Sequence, residues 1–324
     1  MPKTKVVLLS PYRDRAEFTA NLAPEDMDVT LVNPRLGLDE IVPLCRDAEA
    51  ILAIPADVPI ELLKQCPKVK LIQCLSAGYE LLDLEAIGEM GVPVANNGGA
   101  NAIAVAEQTI AMMIGICKKM MLQWYHASKE RRWRGDLSAM DPLEITGKTV
   151  GIVGLGRIGK QVAKRLKGFD TRTIYYDIVE MPKEVREYVA AEPVPFDDLL
   201  RESDLVSLHV PLTRRTRRMI SDRELDMMKP TAFLISDARG AVVDEKALYQ
   251  ALKNGRIAGA ALDVLEQEPT PADNPLLDLD NVIITPHMAG FSYETSVRTA
   301  QFAYDNVRRI VAGDPPESIV TPDD

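Results

Sequence analysis

Three side chains of complementary chemistry stand out in the C-terminal half of this 324-residue sequence. Arg239, Glu268 and His287 each follow an apolar run that predicts a buried strand. A guanidinium can bind a carboxylate through two hydrogen bonds. An imidazole titrates near neutral pH, and a neighbouring carboxylate can orient it and hold its proton. Together these residue types predict a site that binds an anionic substrate and transfers a proton to or from it.

Other residues of the same types leave alternatives open. Of the three histidines in the chain, His126 lies in a polar segment and is interpreted as solvated surface. His209 ends a predicted strand just before Pro211, where it could contact a cofactor or fix a loop. Glu266 competes with Glu268 for the place beside the third histidine, and the sequence alone does not choose between these two carboxylates.

A glycine-rich motif provides a second kind of site. Gly154, Gly156 and Gly159 form the spacing GxGxxG between a predicted strand at 149–153 and a predicted helix. In a dinucleotide-binding turn the first glycine allows the tight turn, the second lets the pyrophosphate approach the backbone, and the third lets helix and strand pack closely. Glycines also mark ordinary turns, so it is the position between strand and helix that favours a nucleotide site.

The next predicted strand ends at an acidic residue, Asp177. A carboxylate in this position can accept hydrogen bonds from the ribose hydroxyls of adenosine and would repel a 2′-phosphate. Residues 178–180 contain no arginine that could bind such a phosphate. The sequence therefore predicts NAD rather than NADP as the cofactor.

The elements that must position these residues alternate along the chain between strand-like and helix-like runs. Before residue 100 this alternation predicts a parallel sheet covered on both faces, with strands at 5–10, 29–33, 50–55, 69–75 and 92–96 and helices at 38–46, 60–65 and 81–90. After residue 148, six strands matching a Rossmann-type doubly wound parallel sheet are predicted at 149–153, 173–176, 205–210, 232–236, 259–265 and 282–285.

Three further segments connect and flank these sheets. A helix predicted at 101–121 is apolar almost all round, which indicates burial. Residues 126–142 are polar and predict a surface arm. A last helix is predicted at about 293–311, and its pattern leaves open which sheet it joins.

The composition narrows the class of protein. Hydrophobic residues make up 46% and charged residues 27% of the chain, as in folded globular domains, and the net charge of −10 disfavours nucleic acid and membrane surfaces as partners. No CxxC pair occurs, so we expect buried free thiols and neither a metal nor a disulfide framework at the cysteines, Cys45, Cys66, Cys74 and Cys117. With no secretory signal and no apolar segment of membrane-spanning length, the expected location is the cytoplasm.

Seven motifs, in order along nearly the whole chain, resemble the D-isomer-specific 2-hydroxyacid dehydrogenase family. They are SAGYELLD (76–83), NAIAVAE (101–107), VGIVGLGRIG (150–159), HVPLTRRT (209–216), ARG (238–240), ALDVLEQEP (261–269) and TPHMAG (285–290).

The resemblance implies a role for each candidate residue. Arg239 would bind the substrate carboxylate and polarise its carbonyl, His287 would exchange a proton with the substrate, and Glu268 would raise the pKa of His287. In the N-terminal part of the chain, Ala77, Gly78 and Tyr79 would bind the substrate. Asp263 would contact the nicotinamide carboxamide, and the implied NAD contacts are Gly154, Gly156, Arg157, Ile158, Gly159, Asp177, His209, Val210, Pro211, Thr216, Asp237, Ala238, Asp263, His287 and Gly290.

The resemblance also implies a domain arrangement and an assembly. A discontinuous substrate domain of flavodoxin-like α/β fold would comprise residues 1–99 and 292–324, and residues 100–291 would form the NAD-binding Rossmann domain. The last helix would then belong to the substrate domain. Members of the family are usually homodimers joined through the long helix and the arm, so a homodimer is expected.

A few positions discriminate within the family. The formate-oxidising branch has glutamine in place of Glu268, so formate is disfavoured as a substrate. Phosphoglycerate dehydrogenases usually carry an arginine after the third strand, where this chain has Pro-Ala-Asp at 55–57. Asp237 stands where the family often has a neutral residue, and we expect its carboxylate to point away from Arg239. Arg13 and Arg15 could add an anion contact, although solvated surface is the simpler interpretation.

The predicted function is therefore hydride transfer between NAD(H) and a small D-2-hydroxy acid or 2-oxo acid. The segment 76–83 resembles the glyoxylate and hydroxypyruvate reductases, which favours those substrates. Two alternatives share the fold and the Arg-Glu-His set: an NAD-sensing corepressor-like binding protein and a phosphite dehydrogenase. Metal is not expected at the site.

Overall fold

The computed structural model describes residues 2–55, 57–137 and 139–322. The chain divides into two compact units, one comprising Met1–Asn101 with Phe291–Asp324 and the other Ala102–Gly290. Each unit is built around its own sheet.

The first unit contains a six-stranded sheet in the order β13-β5-β4-β3-β1-β2. Its first five strands follow the flavodoxin-like order 2-1-3-4-5 and pair in parallel, and β13 adds an antiparallel edge. The strands are β1 (Thr4–Leu9), β2 (Met27–Val32), β3 (Ala50–Ala53), β4 (Leu71–Cys74), β5 (Val94–Ala95) and β13 (Ile319–Val320).

Helices connect the strands of this sheet and cover it. They are α1 (Arg13–Asn21), α2 (Leu38–Cys45), α3 (Ile60–Leu63), α4 (Leu84–Glu89) and α12 (Tyr293–Ala312). Helix α12 begins at the N-cap Ser292, whose hydroxyl accepts a hydrogen bond from the N–H of Thr295, and it ends at Gly313 in the left-handed conformation. Its buried residues Ala300, Ala303, Tyr304 and Val307 pack on the sheet core of this unit, which answers the question that its sequence left open.

The second unit contains a seven-stranded, fully parallel sheet in the order β12-β11-β10-β9-β6-β7-β8. This is the doubly wound Rossmann order with one additional strand at the end, and it confirms the predicted fold class. The strands are β6 (Thr149–Val153), β7 (Arg172–Tyr176), β8 (Ala191–Pro193), β9 (Leu205–Leu208), β10 (Phe233–Ser236), β11 (Gly259–Leu262) and β12 (Val282–Ile284).

The helices of the second unit lie on both sides of its sheet in sequence order. They are α5 (Ala102–Cys117), α6 (Met120–Tyr125), α7 (Arg157–Leu166), α8 (Lys183–Val189), α9 (Phe196–Glu202), α10 (Asp222–Met227) and α11 (Glu245–Lys253). Two buried clusters of apolar side chains result, one including Val153, Leu208 and Leu234 and the other including Ile152, Leu205 and Ile235. Successive strand residues therefore serve opposite clusters, as the pleat of a sheet covered on both faces requires.

One predicted helix was wrong, and one strand of the Rossmann-type sheet was not predicted. The single helix predicted at 101–121 is interrupted, because Lys119 adopts a left-handed conformation (φ 53°) and its ammonium group donates a hydrogen bond to the carbonyl of Met140. The strand β8 was missed because its sequence, Ala-Glu-Pro, is short and polar. Proline is tolerated there since β8 is an edge strand.

All four cysteines are buried free thiols, as predicted. Burial raises the pKa of Cys45 and of Cys74 to about 12, so these two thiols stay protonated. Within the described ranges, no helix is both long enough and apolar enough to cross a bilayer.

Candidate active site

Arg239 lies in the loop that leaves the carboxyl end of β10. Its backbone is extended (φ −142°, ψ 142°), and a short 3₁₀ turn, Gly240–Val242, follows it. The guanidinium Nη1 donates a hydrogen bond of 2.7 Å to the carbonyl of Ala238. The positive charge of Arg239 acts on both Glu268 and His287, which shows that the fold brings these three residues together.

His287 and Glu268 form a short hydrogen-bonded pair. Nδ1 of the imidazole lies 2.5 Å from Oε2 of Glu268. The other carboxylate oxygen, Oε1, accepts a hydrogen bond of 3.0 Å from the N–H of Leu265. With its proton on Nδ1 directed to the carboxylate, the ring leaves Nε2 for a ligand. The side chain of His287 is 46% exposed, so a small molecule can reach it.

The pair perturbs both protonation equilibria in the direction that general acid catalysis requires. The hydrogen bond to Glu268 raises the pKa of His287 against the opposing effect of desolvation. Burial alone would raise the pKa of Glu268, but the hydrogen bonds from His287 and from the Leu265 N–H outweigh it and lower that pKa. A protonated imidazole beside an ionised carboxylate is therefore the favoured state.

The loop that carries His287 is held by Asp263, at the carboxyl end of β11. Asp263 is 1% exposed, and its two carboxylate oxygens accept hydrogen bonds from the Thr285 hydroxyl (2.5 Å) and the N–H groups of Met288 (2.9 Å) and Ala289 (2.8 Å). The N–H of His287 also donates to the Asp263 carbonyl at 2.8 Å. His287 itself sits at φ 55°, a conformation rare outside glycine. Sequence reasoning missed this positioning role of Asp263.

The structure chooses between the competing residues. Glu266 lies 3.4 Å from Arg218 and is not the partner of His287. Burial lowers the pKa of His209 to about 3, so this imidazole is neutral, and its Nε2 lies 2.9 Å from the Ser207 hydroxyl. His126 pairs instead with Glu130 at 2.6 Å in the polar arm. Of the three histidines, His287 alone is paired with a carboxylate next to an arginine of the strand-end loops.

The glycine-rich loop has the geometry of a phosphate-binding turn. Gly154 adopts φ 92°, and a Cβ there would lie 2.7 Å from the carbonyl oxygen of His209. A Cβ on Gly159 would lie 2.1 Å from the carbonyl oxygen of Gly154, so helix α7 can approach the strand only without a side chain there. At Gly156, by contrast, a Cβ would meet no heavy atom within 4 Å. The loop is thus closed toward the protein and open at Gly156, which fits a pyrophosphate at the start of α7.

Asp177 and the glycine-rich loop are directly linked. Oδ2 of Asp177 accepts a hydrogen bond of 2.7 Å from the N–H of Leu155, and Oδ1 accepts one of 2.9 Å from the N–H of Val179. The carboxylate lines a cavity of about 310 Å³ at the end of β7. Arg186, from helix α8, lines the same cavity. Residues 178–180 contain no arginine, and the sequence did not indicate Arg186 because this residue reaches the cavity from a different element.

The remaining cofactor candidates lie in loops that follow strands and in the first turn of α7. The Thr216 hydroxyl donates to the Pro211 carbonyl at 2.6 Å and so fixes the loop after β9. Val210 borders the position of Gly154. Ile158 packs on the core, Arg157 is exposed at the start of α7, and Gly290 is the last residue of the second unit.

Asp237 and Ala238 precede Arg239 and are both buried. The carboxyl of Asp237 forms a hydrogen bond of 2.6 Å with the Thr109 hydroxyl on α5. Burial raises the pKa of Asp237 to about 7.

In the first unit, the loop after β4 contains Ala77, Gly78 and Tyr79. The Ser76 hydroxyl donates to the Gly78 carbonyl at 2.7 Å, and the Asn96 amide donates to the Ala77 carbonyl at 3.3 Å. Tyr79 packs against the core of this unit. These contacts give the loop a defined backbone path, while its role in substrate binding stays a prediction.

Arg13 and Arg15, near the N-terminus, make different contacts. Arg13 pairs with Glu17 at 2.7 Å on the surface of α1, and the guanidinium of Arg15 stacks 3.7 Å above the ring of Phe291. Ala56, in the segment that discriminates against phosphorylated substrates, lies outside the described residues. Among the residues that are described, no group of three or more His, Cys, Asp or Glu side chains could hold a metal ion.

A family model described as "D-isomer specific 2-hydroxyacid dehydrogenase, NAD binding domain" matches residues 110–289. The chain is 38% identical over 283 residues to a glyoxylate reductase of Korarchaeum cryptofilum. This match covers 86% of this chain and 85% of the relative. It is 37% identical over 298 residues to a D-3-phosphoglycerate dehydrogenase of Methanocaldococcus jannaschii, covering 91% of this chain and 56% of the relative.

A solved structure is similar over almost the whole length. It is the NAD-complexed form of a D-isomer specific 2-hydroxyacid dehydrogenase from Lactobacillus delbrueckii ssp. bulgaricus, with a TM-score of 0.80 and 28% identity. The match covers 98% of this chain and 100% of that one.

Proposed function

The chain belongs to the D-isomer-specific 2-hydroxyacid dehydrogenase family, and on this basis we propose that it reduces glyoxylate or hydroxypyruvate with NADH. Membership of the family makes the protein an NAD-dependent oxidoreductase of 2-hydroxy acids. The observation that carries the proposal for the catalytic residues is the 2.5 Å pair of His287 and Glu268 within electrostatic range of Arg239.

Arg239 is proposed to bind the carboxylate of the 2-oxo acid and to polarise its carbonyl. A guanidinium presents two parallel N–H groups to a carboxylate, and this geometry fixes both the position and the orientation of a small substrate. The hydrogen bond from Nη1 to the Ala238 carbonyl orients the guanidinium on its loop. A small substrate gains most from such pre-set orientation, because it has few other groups to bind.

His287 is proposed to act as the general acid in reduction and as the general base in oxidation. Nε2 would give its proton to the carbonyl oxygen as that oxygen gains charge. Glu268 holds the proton on Nδ1 and stabilises the imidazolium, which keeps the acid protonated at a higher pH than a free histidine. Asp263 fixes the backbone around His287 and so limits the movement of the ring.

The second unit holds the cofactor, which supplies the hydride when it is bound. The residues that fit it are the open backbone at Gly156, the start of α7 and the oriented carboxylate of Asp177. We propose that the loop at Ala77–Tyr79 of the first unit takes part in substrate binding.

We favour glyoxylate and hydroxypyruvate over 3-phosphohydroxypyruvate as substrates. The support comes from the relatives named glyoxylate reductase, which match this chain over most of their length. Where a phosphoglycerate dehydrogenase usually has an arginine for the substrate phosphate, this chain has Pro-Ala-Asp at 55–57.

The test is the decay of NADH absorbance with a panel of 2-oxo acids. Glyoxylate, hydroxypyruvate, 3-phosphohydroxypyruvate, pyruvate and phenylpyruvate would be compared at equal concentration, with NADPH in parallel. We expect glyoxylate or hydroxypyruvate to give the highest kcat/KM, with NADH preferred. Highest turnover with another acid would refute the substrate assignment, and NAD reduction by phosphite alone would establish the phosphite dehydrogenase alternative.

A variant separates catalysis from cofactor binding. His287→Gln is expected to abolish turnover while NADH fluorescence still reports binding. Normal turnover by this variant would refute the role of His287. NADH binding without turnover in the unmodified protein, for every acid and for phosphite, would favour the NAD-sensing alternative.

A homodimer is proposed from the surface around α6. This helix has no buried residue in the single chain, and its Trp124 is 56% exposed, while Trp133 in the following segment is 73% exposed. Exposed aromatic side chains in one region are characteristic of an interface. Analytical ultracentrifugation is expected to give twice the mass of the chain, and a monomer at micromolar concentration would refute the proposal.

We also propose a cytoplasmic location. Four buried free thiols suit a reducing compartment, in which disulfides do not form. Cell fractionation with an antibody against the chain is expected to recover it with cytoplasmic markers, and recovery in a secreted or membrane fraction would contradict this.

A further inference from the structure

Two buried carboxyl groups follow the carboxyl ends of neighbouring strands in the second unit. Ser236 of β10 pairs with Leu262 of β11, so Asp237 and Asp263 are the next residues on the two strands. Asp237 is 7% exposed and Asp263 is 1% exposed. Two adjacent carboxyl groups in such a site do not both ionise without cost, because each negative charge disfavours the other.

The hydrogen-bond partners of the two groups differ sharply. Asp263 accepts from one hydroxyl and two backbone N–H groups, which stabilises its ionised form. Among the described residues, Asp237 has a single partner, Thr109, on Oδ2, and its buried Oδ1 atom has none. A buried carboxylate without donors carries a large desolvation cost. Of the two carboxyl groups, Asp237 is therefore the one that holds a proton.

The hydroxyl of Thr109 provides an independent argument. Its oxygen lies 2.8 Å from the carbonyl of Val105 and 2.6 Å from Oδ2 of Asp237. A hydroxyl has only one proton, and a carbonyl can only accept. If the Thr109 proton goes to Val105, then the contact with Asp237 is a hydrogen bond only if Asp237 is the donor. Only a protonated Asp237 makes both contacts hydrogen bonds at the same time.

We propose that Asp237 is a neutral carboxylic acid in the resting protein, donating its proton to Thr109, and that its ionisation as the pH rises weakens the binding of a carboxylate substrate at Arg239. The second half of this inference rests on the proposed function of Arg239, and the first half does not. Asp237 is thus a positioning residue, since it acts on substrate through the charge of the site.

The charged groups on the surrounding elements are few. Asp263 follows β11 and raises the pKa of Asp237, adding to the larger effect of burial. His209, after β9, is neutral. Glu107 on α5 is paired with Arg165 at 3.1 Å on the surface. Arg239 lies in the same loop as Asp237, two residues further on. With a pKa of about 7, Asp237 would change its charge across the neutral range.

The first experiment detects the proton itself. Infrared difference spectra of wild-type protein minus Asp237→Asn, without substrate, would be recorded at about pH 5.5 and about pH 8.5, on either side of neutrality. We expect the carbonyl stretch of a protonated carboxylic acid at the lower pH and its replacement by carboxylate bands at the higher pH. Carboxylate bands at both values would overturn the proposal, whether or not the protein reduces any 2-oxo acid.

A second variant tests the hydrogen bond. Thr109→Val keeps the shape of the side chain and removes the hydroxyl. We expect the carboxylic acid band to remain and to move to the frequency of a free acid. A band that stays at the wild-type frequency would overturn the assignment of Thr109 as the acceptor.

The third experiment tests the consequence for substrate. KM for the preferred 2-oxo acid would be measured across the same pH range with NADH saturating. In the wild type we expect KM to rise about tenfold, the factor that corresponds to one pKa unit of interaction between neighbouring like charges. In Asp237→Asn we expect KM to lose this pH dependence, while kcat keeps the dependence set by His287. The same rise of KM in both proteins would overturn the link to Asp237.

Discussion

Gly240 offers a direct test of how closely the active-site loops must approach. It follows Arg239 and begins the 3₁₀ turn at 240–242. A Cβ at this position would lie 1.9 Å from the carbonyl oxygen of Leu265 and 2.4 Å from the nitrogen of Glu266. These are backbone atoms, so the contact cannot be relieved by turning a side chain. Gly240→Ala must therefore separate the loop of Arg239 from the loop of Glu268.

The size of the displacement follows from the distances. Ordinary van der Waals contact begins at 3.4 Å, so a Cβ at 1.9 Å requires a movement of about 1.5 Å (3.4 − 1.9). Leu265 donates its N–H to Glu268, so this movement changes the position of the carboxylate that orients His287. A misplacement of about 1 Å at reacting groups costs on the order of 100-fold in rate. We expect kcat/KM to fall about 100-fold, or roughly 2.7 kcal/mol.

The assay is steady-state reduction of the preferred 2-oxo acid, with NADH binding measured by fluorescence and Tm by calorimetry. NADH binding is expected to persist, because Gly156 and Asp177 lie on other loops. Gly168→Ala is the matched control, since a Cβ there meets no heavy atom within 4 Å. A Gly240→Ala protein that binds NADH and keeps wild-type kcat/KM would refute the reasoning.

Three further predictions concern charge. Glu268→Gln is expected to lower the pKa of His287 and to move the alkaline limit of reductive kcat/KM to lower pH, because reduction needs the protonated ring. The control, Glu266→Gln, removes a carboxylate paired with Arg218 and should leave the pH profile unchanged. Equal shifts in the two variants would contradict the pairing of Glu268 with His287. Asp177→Asn is expected to raise kcat/KM with NADPH about tenfold, equal to one pKa unit of interaction, because Arg186 would then face the 2′-phosphate without a competing carboxylate. Glu184→Gln, on the same helix as Arg186, serves as the control. An unchanged kcat/KM with NADPH would exclude Asp177 as the residue that selects NADH over NADPH. Asp237→Asn is expected to be more stable to urea than the wild type at pH 8, by up to about 4 kcal/mol. The variant is expected to be the more stable protein because a pKa raised from 3.8 to about 7 makes the folded wild type bind more protons than its unfolded chain. The wild type therefore loses stability as the pH rises between these two values. Equal stability of the two proteins at pH 8 would contradict a buried carboxylic acid at Asp237.

The sequence predicted the architecture because its signals are local. Alternating apolar runs and polar turns indicate which segments form buried strands. A strand followed by GxGxxG and a helix predicts a nucleotide-binding turn. Where these signals weaken, the prediction failed. The strand β8 has only three residues, and one of them is proline. The helix break at Lys119 depends on a left-handed backbone conformation that the residue type does not predict.

The candidate site was partly determined by position alone. Residues at the carboxyl ends of parallel strands lie along one edge of a sheet, so the strand ends that carry Arg239 and His287 place these two residues near each other. The choice between Glu268 and Glu266 could not be made in this way. In a loop no regular period sets the relative direction of two side chains two residues apart, and that direction depends on the path of the backbone.

The sequence by itself thus determined the two kinds of sheet, the nucleotide-binding turn and the residue types of the acid-base pair. These features can be predicted because periodicity and strand ends depend on residues that are neighbours along the chain. Only the tertiary structure decided which carboxylate touches His287, that Asp263 holds the His287 loop, that Arg186 shares a cavity with Asp177, and that Asp237 meets Thr109. Each of these contacts joins residues from different elements, and burial then sets their charges. Spacing along the chain carries no record of such contacts, since they depend on how the elements pack.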